Sequence, residues 1–306
     1  SIAGSYEFKY ASRSSQDTAL DGTKMSHGDT NMVVTFSNKT DSGLDLSYRY
    51  DIGGGLTNDA GLTGDEFSLS IGGGFGKIVL GQDDDAADAY NIDEMDLIAE
   101  EPTAVILSQT IGTSSSISSD DVDKIAYHLP AMGGLTAGIS YRDSGAAGSA
   151  DSTEFGAKYA MSAGGANITI GASTATKEGA SQDTDTQVMG IKVSSGNITA
   201  AISQSTYEAA GTDAVDAVAG SSTANFVAAV PATDASDEES IGAAISFKVN
   251  DGMTITVHTA ETDDGQTTES YSNSGIEIAY TVAPGLKATI NVEDYDYKAG
   301  NSTGNT

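Results

Sequence analysis

Cysteine, histidine and basic residues are scarce in this 306-residue chain, and each shortage excludes a class of chemistry. There is no cysteine, which excludes disulfides, thiolate metal sites and thiol nucleophiles. The three histidines, His27, His128 and His258, do not have the spacing of a zinc site or belong to a catalytic constellation. The sequence therefore predicts that the protein is not an enzyme.

The charge balance is strongly acidic. Lys and Arg number 14 against 44 Asp and Glu, which gives a formal net charge of -30 at pH 7. Such a charge repels nucleic acid and excludes that class of partner. The same charge attracts cations.

Long apolar stretches are also missing. No run approaches the roughly 18 residues that a transmembrane helix needs. The first ten residues, "SIAGSYEFKY", lack the basic region and apolar core of a signal peptide, so we interpret the sequence as a mature chain. Only 38% of the residues are apolar, below the roughly 45–50% of an average globular chain. The chain is therefore predicted either to be partly disordered or to have an interior that is not oily.

A repeated alternation of apolar and polar residues is present instead. Fifteen segments show the period of two that is typical of strands with two different faces. In "LDLSYRYD", Leu46 and Tyr48 share one face, and Ser47 and Arg49 share the other. The connections alternate between tight glycine-rich turns and long loops, which places all long loops at one rim. A soluble β-sandwich would not sort its loops so strictly.

The polar face of these strands must contact water, because fully desolvating a charge costs several kcal/mol. Either this face is the surface of a soluble sandwich, or it lines the aqueous lumen of a barrel whose apolar face contacts lipid. Segment lengths of about nine to eleven residues and tyrosines at segment ends, among them Tyr141, Tyr159, Tyr280 and Tyr295, favour the barrel. The charged and histidine positions of the polar face are Lys9, Arg49, Lys77, Lys124, His128, Arg142, Glu154, Lys158, Lys192, Lys248, His258, Glu277, Lys287 and Glu293.

The strand number completes the fold prediction. Bacterial single-chain barrels have an even number of strands, and an open strand edge in lipid is unfavourable. We therefore predict an all-β fold, a transmembrane antiparallel β-barrel of about 16 strands, whose closing C-terminal strand is absent from this sequence. Residues 1–306 are predicted to form a single barrel domain. A barrel of this size encloses a water channel rather than a packed interior.

Three stretches resemble a known family. "TDSGLDLSYRY" and "FSLSIGGGFGKIVLGQ" resemble the second and third hairpins of alphaproteobacterial, Rhodobacter-type general outer-membrane porins, and "YHLPAMGGLTAGISYRD" resembles the hairpin after their constriction loop. The resemblance is strongest over residues 36–82 and 122–143, and the chain departs from it in lacking a C-terminal strand that ends in phenylalanine. It implies a homotrimer in the bacterial outer membrane, in contact with lipid and lipopolysaccharide, with the third long loop folded into the lumen.

The third long loop, residues 83–121, is the expected constriction loop. Its apolar middle, "PTAVILSQTI", would be exposed in a solvated surface loop, and insertion into the barrel explains it better. The resemblance implies that basic residues of the early strands lie opposite the loop, and the candidates are Lys9, Arg13, Lys24 and Arg49. The candidate acidic residues of the constriction are Asp83, Asp84, Asp85, Asp88, Asp93, Glu94, Asp96, Glu100 and Glu101.

The acidic loop also raises the question of calcium, which prefers oxygen ligands. Asp93, Glu94 and Asp96 are the candidate ligands, although "DDDAAD" and "TDDGQTTE" lack the spacing of an EF-hand. Diffuse attraction of cations is the alternative, and the sequence requires no cofactor.

The sequence as a whole predicts a water-filled channel for passive diffusion of small hydrophilic solutes and ions. The acidic loop and mouth favour cations. Two alternatives stay open: a substrate-selective channel of the same architecture, and a secreted soluble acidic β-protein that acts as an adhesin or binds calcium. The scarcity of aromatic and arginine residues disfavours the first, and the absence of a fixed repeat disfavours the second.

Overall fold

A computed structural model describes residues 1–14, 22–27, 31–53, 66–98, 123–143, 151–178, 183–209, 236–264 and 270–298. These residues form β-strands apart from one short helix, α1 (Ala86–Tyr90), and a 3-10 turn at Met95–Leu97. The strands are β1 (Ile2–Ser5), β2 (Phe8–Arg13), β3 (Gly22–His27), β4 (Asn31–Lys39), β5 (Asp45–Gly53), β6 (Phe67–Gly73), β7 (Gly76–Gly81), β8 (Lys124–His128), β9 (Leu135–Arg142), β10 (Asp151–Ala163), β11 (Ala166–Glu178), β12 (Thr184–Ser195), β13 (Ile198–Ala209), β14 (Ser236–Asn250), β15 (Met253–Asp264), β16 (Ser270–Ala283) and β17 (Leu286–Lys298).

The strands form an antiparallel meander. Fifteen of them make one sheet in the order β1, β4, β5 and onward to β17, while β2 and β3 pair separately as a hairpin. This confirms the fifteen alternating segments, except that the first of them is divided between β1 and β2. Strands β1 and β17 are the outermost strands of the sheet, and no hydrogen-bond ladder joins them within the described residues.

Tight turns collect at one rim of the sheet. Between β10 and β11, Gly164 and Gly165 have φ angles of 60° and 83°, the left-handed values that a two-residue hairpin turn requires. The equivalent turn between β16 and β17 uses Gly285 at φ 81°. The longer connections, such as the one after β7, leave from the opposite rim, as the sequence predicts.

The two faces of the sheet are inverted relative to a soluble protein. Large apolar side chains such as Ile139 (46% exposed) and Ile245 lie on the outer face, while Ser203, Thr256 and Glu277 are buried on the inner face. Such inversion, in a sheet whose neighbouring strands are all antiparallel, is that of a transmembrane β-barrel with lipid outside and water inside. Among the residues that the structure describes, no helix is both long and apolar enough to cross a membrane.

Within the fifteen-stranded sheet, which does not include Lys9 on β2, the strand register confirms the sequence assignment of the faces, with one correction. Tyr141, Tyr159 and Tyr280 are exposed on the outer face, where interfacial tyrosines are expected. Tyr295 instead lies on the inner face, because it pairs with the inward Asn273 of the neighbouring strand. The apolar–polar alternation of the sequence alone does not show whether a tyrosine near the end of the last strand faces lipid or the lumen.

The third long connection folds back onto the inner face. Helix α1 contacts β9, β10 and β11, and the 3-10 turn contacts β13 and β14. Ala86, Ala87, Ile92 and Met95 are buried against the wall. The insertion of this loop into the lumen is therefore confirmed over residues 83–98, whereas "PTAVILSQTI" lies outside the described residues.

Candidate functional site

Hydroxyl groups on the inner face of β9 and β11 hold the backbone of helix α1. Ser140 accepts a hydrogen bond from the Ala86 N–H at 2.9 Å, and Ser173 donates one to the Ala87 carbonyl at 2.7 Å. Both serines are buried beneath the loop. These bonds satisfy polar backbone groups that would otherwise be buried without partners.

The same arrangement continues on β13 and β15. Ser203 accepts a hydrogen bond from the Glu94 N–H at 3.4 Å and donates a short one to the Glu94 carboxylate. Thr256 donates to the Leu97 carbonyl at 3.1 Å. Hydroxyls on alternate strands thus follow the loop across half of the barrel wall.

Glycines fill the positions between these hydroxyls. A Cβ atom at Gly156 would lie 2.5 Å from the Ala86 carbonyl oxygen, and one at Gly171 would lie 2.6 Å from Ile92 Cγ1, whereas ordinary contact begins at 3.4 Å. Glycine inside a strand often marks the close approach of another backbone, which is the case here. We call the small inner-face residues of strands β9 to β15 that meet the loop at these hydroxyls and close approaches the loop seat: Ser140, Gly156, Gly171, Ser173, Gly190, Ser203, Gly242 and Thr256.

A buried ion pair fixes the start of the loop. Lys124 Nζ lies 2.6 Å from Asp85 Oδ1, and the two side chains are 1% and 5% exposed. Lys124 also donates to the Asp83 carbonyl. A second buried carboxylate, Glu154, lies beside Asp85 and accepts a hydrogen bond from Ser140 at 3.2 Å.

Three further acidic residues of the loop remain open to the lumen. Asp96 pairs with Lys192 on β12 at 2.8 Å, and both side chains are partly exposed. Burial, followed by the charge of Asp84, raises the pKa of Asp88 to about 6. Partial desolvation by the neighbouring wall, followed by the charge of Asp83, also raises the pKa of Asp84, although the surface of Asp84 is exposed. Asp88 is therefore charged at neutral pH and loses its charge as the pH falls through about 6.

The three candidate calcium ligands make contacts with three different groups of the protein. Asp93 accepts a hydrogen bond from the Met95 N–H at 2.8 Å, Glu94 is fully buried against Ser203, and Asp96 turns to the wall lysine described above. Burial, followed by the charge of Glu94, raises the pKa of Asp93. The described residues contain no group of three acidic or histidine side chains placed to hold a metal ion. Calcium binding stays a prediction that this geometry does not support.

The predicted basic residues lie on strands β2, β3 and β5, and their position opposite the loop stays a prediction. Arg49 on β5 donates to Asp51 at 2.7 Å and to Glu66, and it lies within electrostatic range of Asp83. Lys9 on β2 lies 3.3 Å from Glu7. Arg13 ends β2 and Lys24 lies on β3, but the structure does not describe their side chains. Glu100 and Glu101 lie outside the described residues.

The sequence pattern did not predict two features of this site. Lys124 and Lys192 were assigned to the inner face but not paired with loop acids, and the hydroxyls and glycines of the loop seat were not singled out. A signal was present, because Gly156, Gly171 and Gly190 interrupt strand interiors at inward positions. What the site can do follows from its charges, because charged groups that line a channel bias which ions pass through it.

Comparisons with known proteins place this geometry in context. A family model described as Gram-negative porin matches residues 1–300. The loop L8 deletion mutant of OmpT, an outer membrane protein of Vibrio cholerae, is 11% identical with a TM-score of 0.67, over 97% of this chain and 92% of that one. An anion-selective porin from Comamonas acidovorans is 15% identical with a TM-score of 0.68, over 97% and 89% of the chains.

A mutant of Rh. blastica porin is 15% identical with a TM-score of 0.66, over 96% of this chain and 94% of that one. At such identities these likenesses show the fold alone. No curated protein matches the sequence.

Proposed function

The chain belongs to the Gram-negative porin family and forms an outer-membrane channel, and on this premise we propose that it allows passive diffusion of small hydrophilic solutes and ions, with a preference for cations. The proposal treats residues 1–306 as a single barrel domain with residues 83–121 as its constriction loop. We also propose an alphaproteobacterial, Rhodobacter-type porin that assembles as a homotrimer in contact with lipid and lipopolysaccharide. The three sequence stretches that resemble that group support this assignment.

The observation that carries the proposal is the polar inner wall crossed by an acidic segment. Buried hydroxyls and charged residues line the inner face, and residues 83–98 lie against them with Asp84 and Asp96 exposed to the lumen. A polar wall lets hydrated solutes pass, while the inserted segment limits their size and the charges around it bias which ions enter.

The cation preference is expected because wall lysines pair with only some of the acidic residues of the loop. Wall lysines pair with Asp85 and Asp96, whereas Asp83, Asp84 and Asp88 make no salt bridge among the described residues. The net charge of -30 adds a long-range attraction for cations at the mouth. We therefore expect a moderate preference that weakens as salt rises toward about 1 M, where the Debye length is about 3 Å.

Reversal potentials in planar bilayers under a KCl gradient test this function. The wild type is expected to prefer cations, and the double variant Asp84→Asn/Asp88→Asn is expected to prefer them less. Glu178→Gln, which removes an exposed acid from the outer face of β11, is the matched control and should leave the reversal potential unchanged. An anion-preferring wild type would contradict the cation preference, and a folded protein without conductance would contradict the channel.

The outer-membrane location and the side chains of the lumen bear on the two alternative functions, a secreted soluble protein and a substrate-selective channel. Members of this family are channel proteins of the outer membrane rather than enzymes, which excludes a secreted soluble protein. A substrate-selective channel with an aromatic track has no support among the described side chains, because the inward Tyr207 and Tyr295 stand apart on β13 and β17.

A further inference from the structure

The loop seat contains an unbroken row of residues with little or no side chain. Gly171 on β11 pairs with Gly190 on β12, Gly190 pairs with Ser203 on β13, and Ser203 pairs with Gly242 on β14. All four positions face inward. Glycine is disfavoured in strand interiors because it packs no side chain and loses more backbone freedom than other residues. Three glycines in one cross-strand row therefore need a reason.

The loop backbone lies directly on this row. A Cβ atom at Gly190 would meet Ile92 Cβ at 2.8 Å and would come closer still to the Ile92 carbonyl oxygen. At Gly171 it would meet the Tyr90 carbonyl oxygen at 2.8 Å. At Gly242 the space is taken by the Glu94 carboxylate. At each of these glycines the loop therefore occupies the space that a side chain of the wall would otherwise fill.

We propose that Gly171, Gly190 and Gly242 are positioning residues that set the free width of the channel, by fixing how closely residues 90–94 approach the wall. The inference deepens the proposed function and depends on it, since it concerns the constriction of that channel. The loop occupies the lumen, so each fraction of an ångström by which it rises from the wall is taken from the space left for solutes.

The size of the displacement follows from the contacts. Ordinary van der Waals contact begins at 3.4 Å, so a methyl group at Gly190 requires Ile92 Cβ to move by at least 3.4 − 2.8 = 0.6 Å, and its carbonyl oxygen to move further. The opposing atoms include backbone, which cannot rotate away as the end of a flexible side chain does. The strand itself is held on both edges by β11 and β13, so the loop is the part that is displaced.

Gly72 on β6 provides a matched control. It also faces inward within a strand, but a Cβ atom there would find its nearest neighbour, Asp45 Cβ, at 3.8 Å, which is ordinary contact. Gly72→Ala therefore adds the same methyl group to another inward strand position, near the end of β6, without touching the loop.

The test is uptake of neutral sugars of increasing size into liposomes that contain the wild type, Gly190→Ala or Gly72→Ala. Neutral sugars separate channel width from charge selectivity. Gly190→Ala is expected to reduce the ratio of trisaccharide to monosaccharide uptake, while Gly72→Ala keeps the wild-type ratio. Folding of each variant is checked by heat-modifiable migration in detergent gels.

The outcomes separate this inference from the proposed function. A folded wild type that admits no sugar refutes the channel itself. A conducting wild type with a folded Gly190→Ala variant of unchanged ratio overturns the inference alone. If Gly190→Ala does not assemble, Ile92→Ala decides, because it removes atoms from the loop and leaves the wall intact. That variant is expected to raise the ratio by letting the loop settle closer to Gly171, and an unchanged ratio overturns the inference.

Discussion

Removing the charge of Lys124 is expected to detach the start of the loop from the barrel wall. The ammonium group lies 2.6 Å from Asp85, and both side chains are almost fully buried. Lys124→Met keeps most of the side-chain volume but leaves Asp85 of the loop and the neighbouring Glu154 without the cation that β8 supplies. Breaking a buried ion pair by removing one partner costs about 3–5 kcal/mol.

Detachment relieves much of that cost, because Asp85 then regains contact with water. Since about 1.4 kcal/mol changes an equilibrium tenfold, the fraction of time that residues 83–86 spend away from the wall should rise on the order of 100- to 1,000-fold. Single-channel recording in about 1 M KCl measures this directly, because long-range charge effects are then screened. We expect larger fluctuations of the open-channel current in Lys124→Met than in the wild type.

A second substitution tests the cause. Asp85→Asn in the Lys124→Met background removes the uncompensated charge, so the current fluctuations should return toward those of the wild type. If Lys124→Met is folded and its open-channel current is as quiet as that of the wild type, the ion pair does not hold the loop. If the current fluctuations of the double variant are as large as those of Lys124→Met, the uncompensated charge of Asp85 does not cause them.

Three further predictions concern the outer face and the lumen. Ile139→Arg, on the lipid-facing side, should impair assembly by about 2–4 kcal/mol near mid-depth, whereas Ser47→Arg, on the inner face, should not; equal yields of folded protein would refute the assigned faces. Lys192→Met removes a partly exposed pair worth about 0–1 kcal/mol, so it should leave current noise unchanged yet increase cation preference, and an unchanged reversal potential would mean that Asp96 is not sensed by passing ions. Because Asp88 is neutral below its pKa of about 6 and charged above it, cation preference should rise as pH passes through that value, and Asp88→Asn should lack the step.

The architecture was predictable because strands have a period of exactly two. Once Ile139 is assigned to lipid, Ser140 must face inward, and the same reasoning extends along every strand and across every pair. Periodicity does not reveal what covers an inward residue. Ser140 is inward as predicted, but it is buried beneath Ala86 rather than open to the channel water.

The details of the loop were not predictable for a related reason. Asp84 and Asp85 are adjacent and chemically identical, yet Asp84 is exposed and Asp85 is buried against Lys124. The start of α1 at Ala86 decides which of them faces the wall, and such a short helix leaves little pattern in the sequence. Glu94 is likewise indistinguishable from its acidic neighbours until Ser203, which lies 109 positions away, is brought next to it.

The loop seat also constrains the order in which the protein can reach its native state. Residues 83–98 precede every strand of the seat in the chain, and their partners lie progressively further along it, 54 positions away for Ala86 with Ser140 and 159 for Leu97 with Thr256. Contacts of such long sequence separation form late and slowly. The segment can therefore complete its contacts only after β15 has joined the sheet. Assembly of the constriction is thereby coupled to the growth of the wall, strand by strand, from β9 to β15.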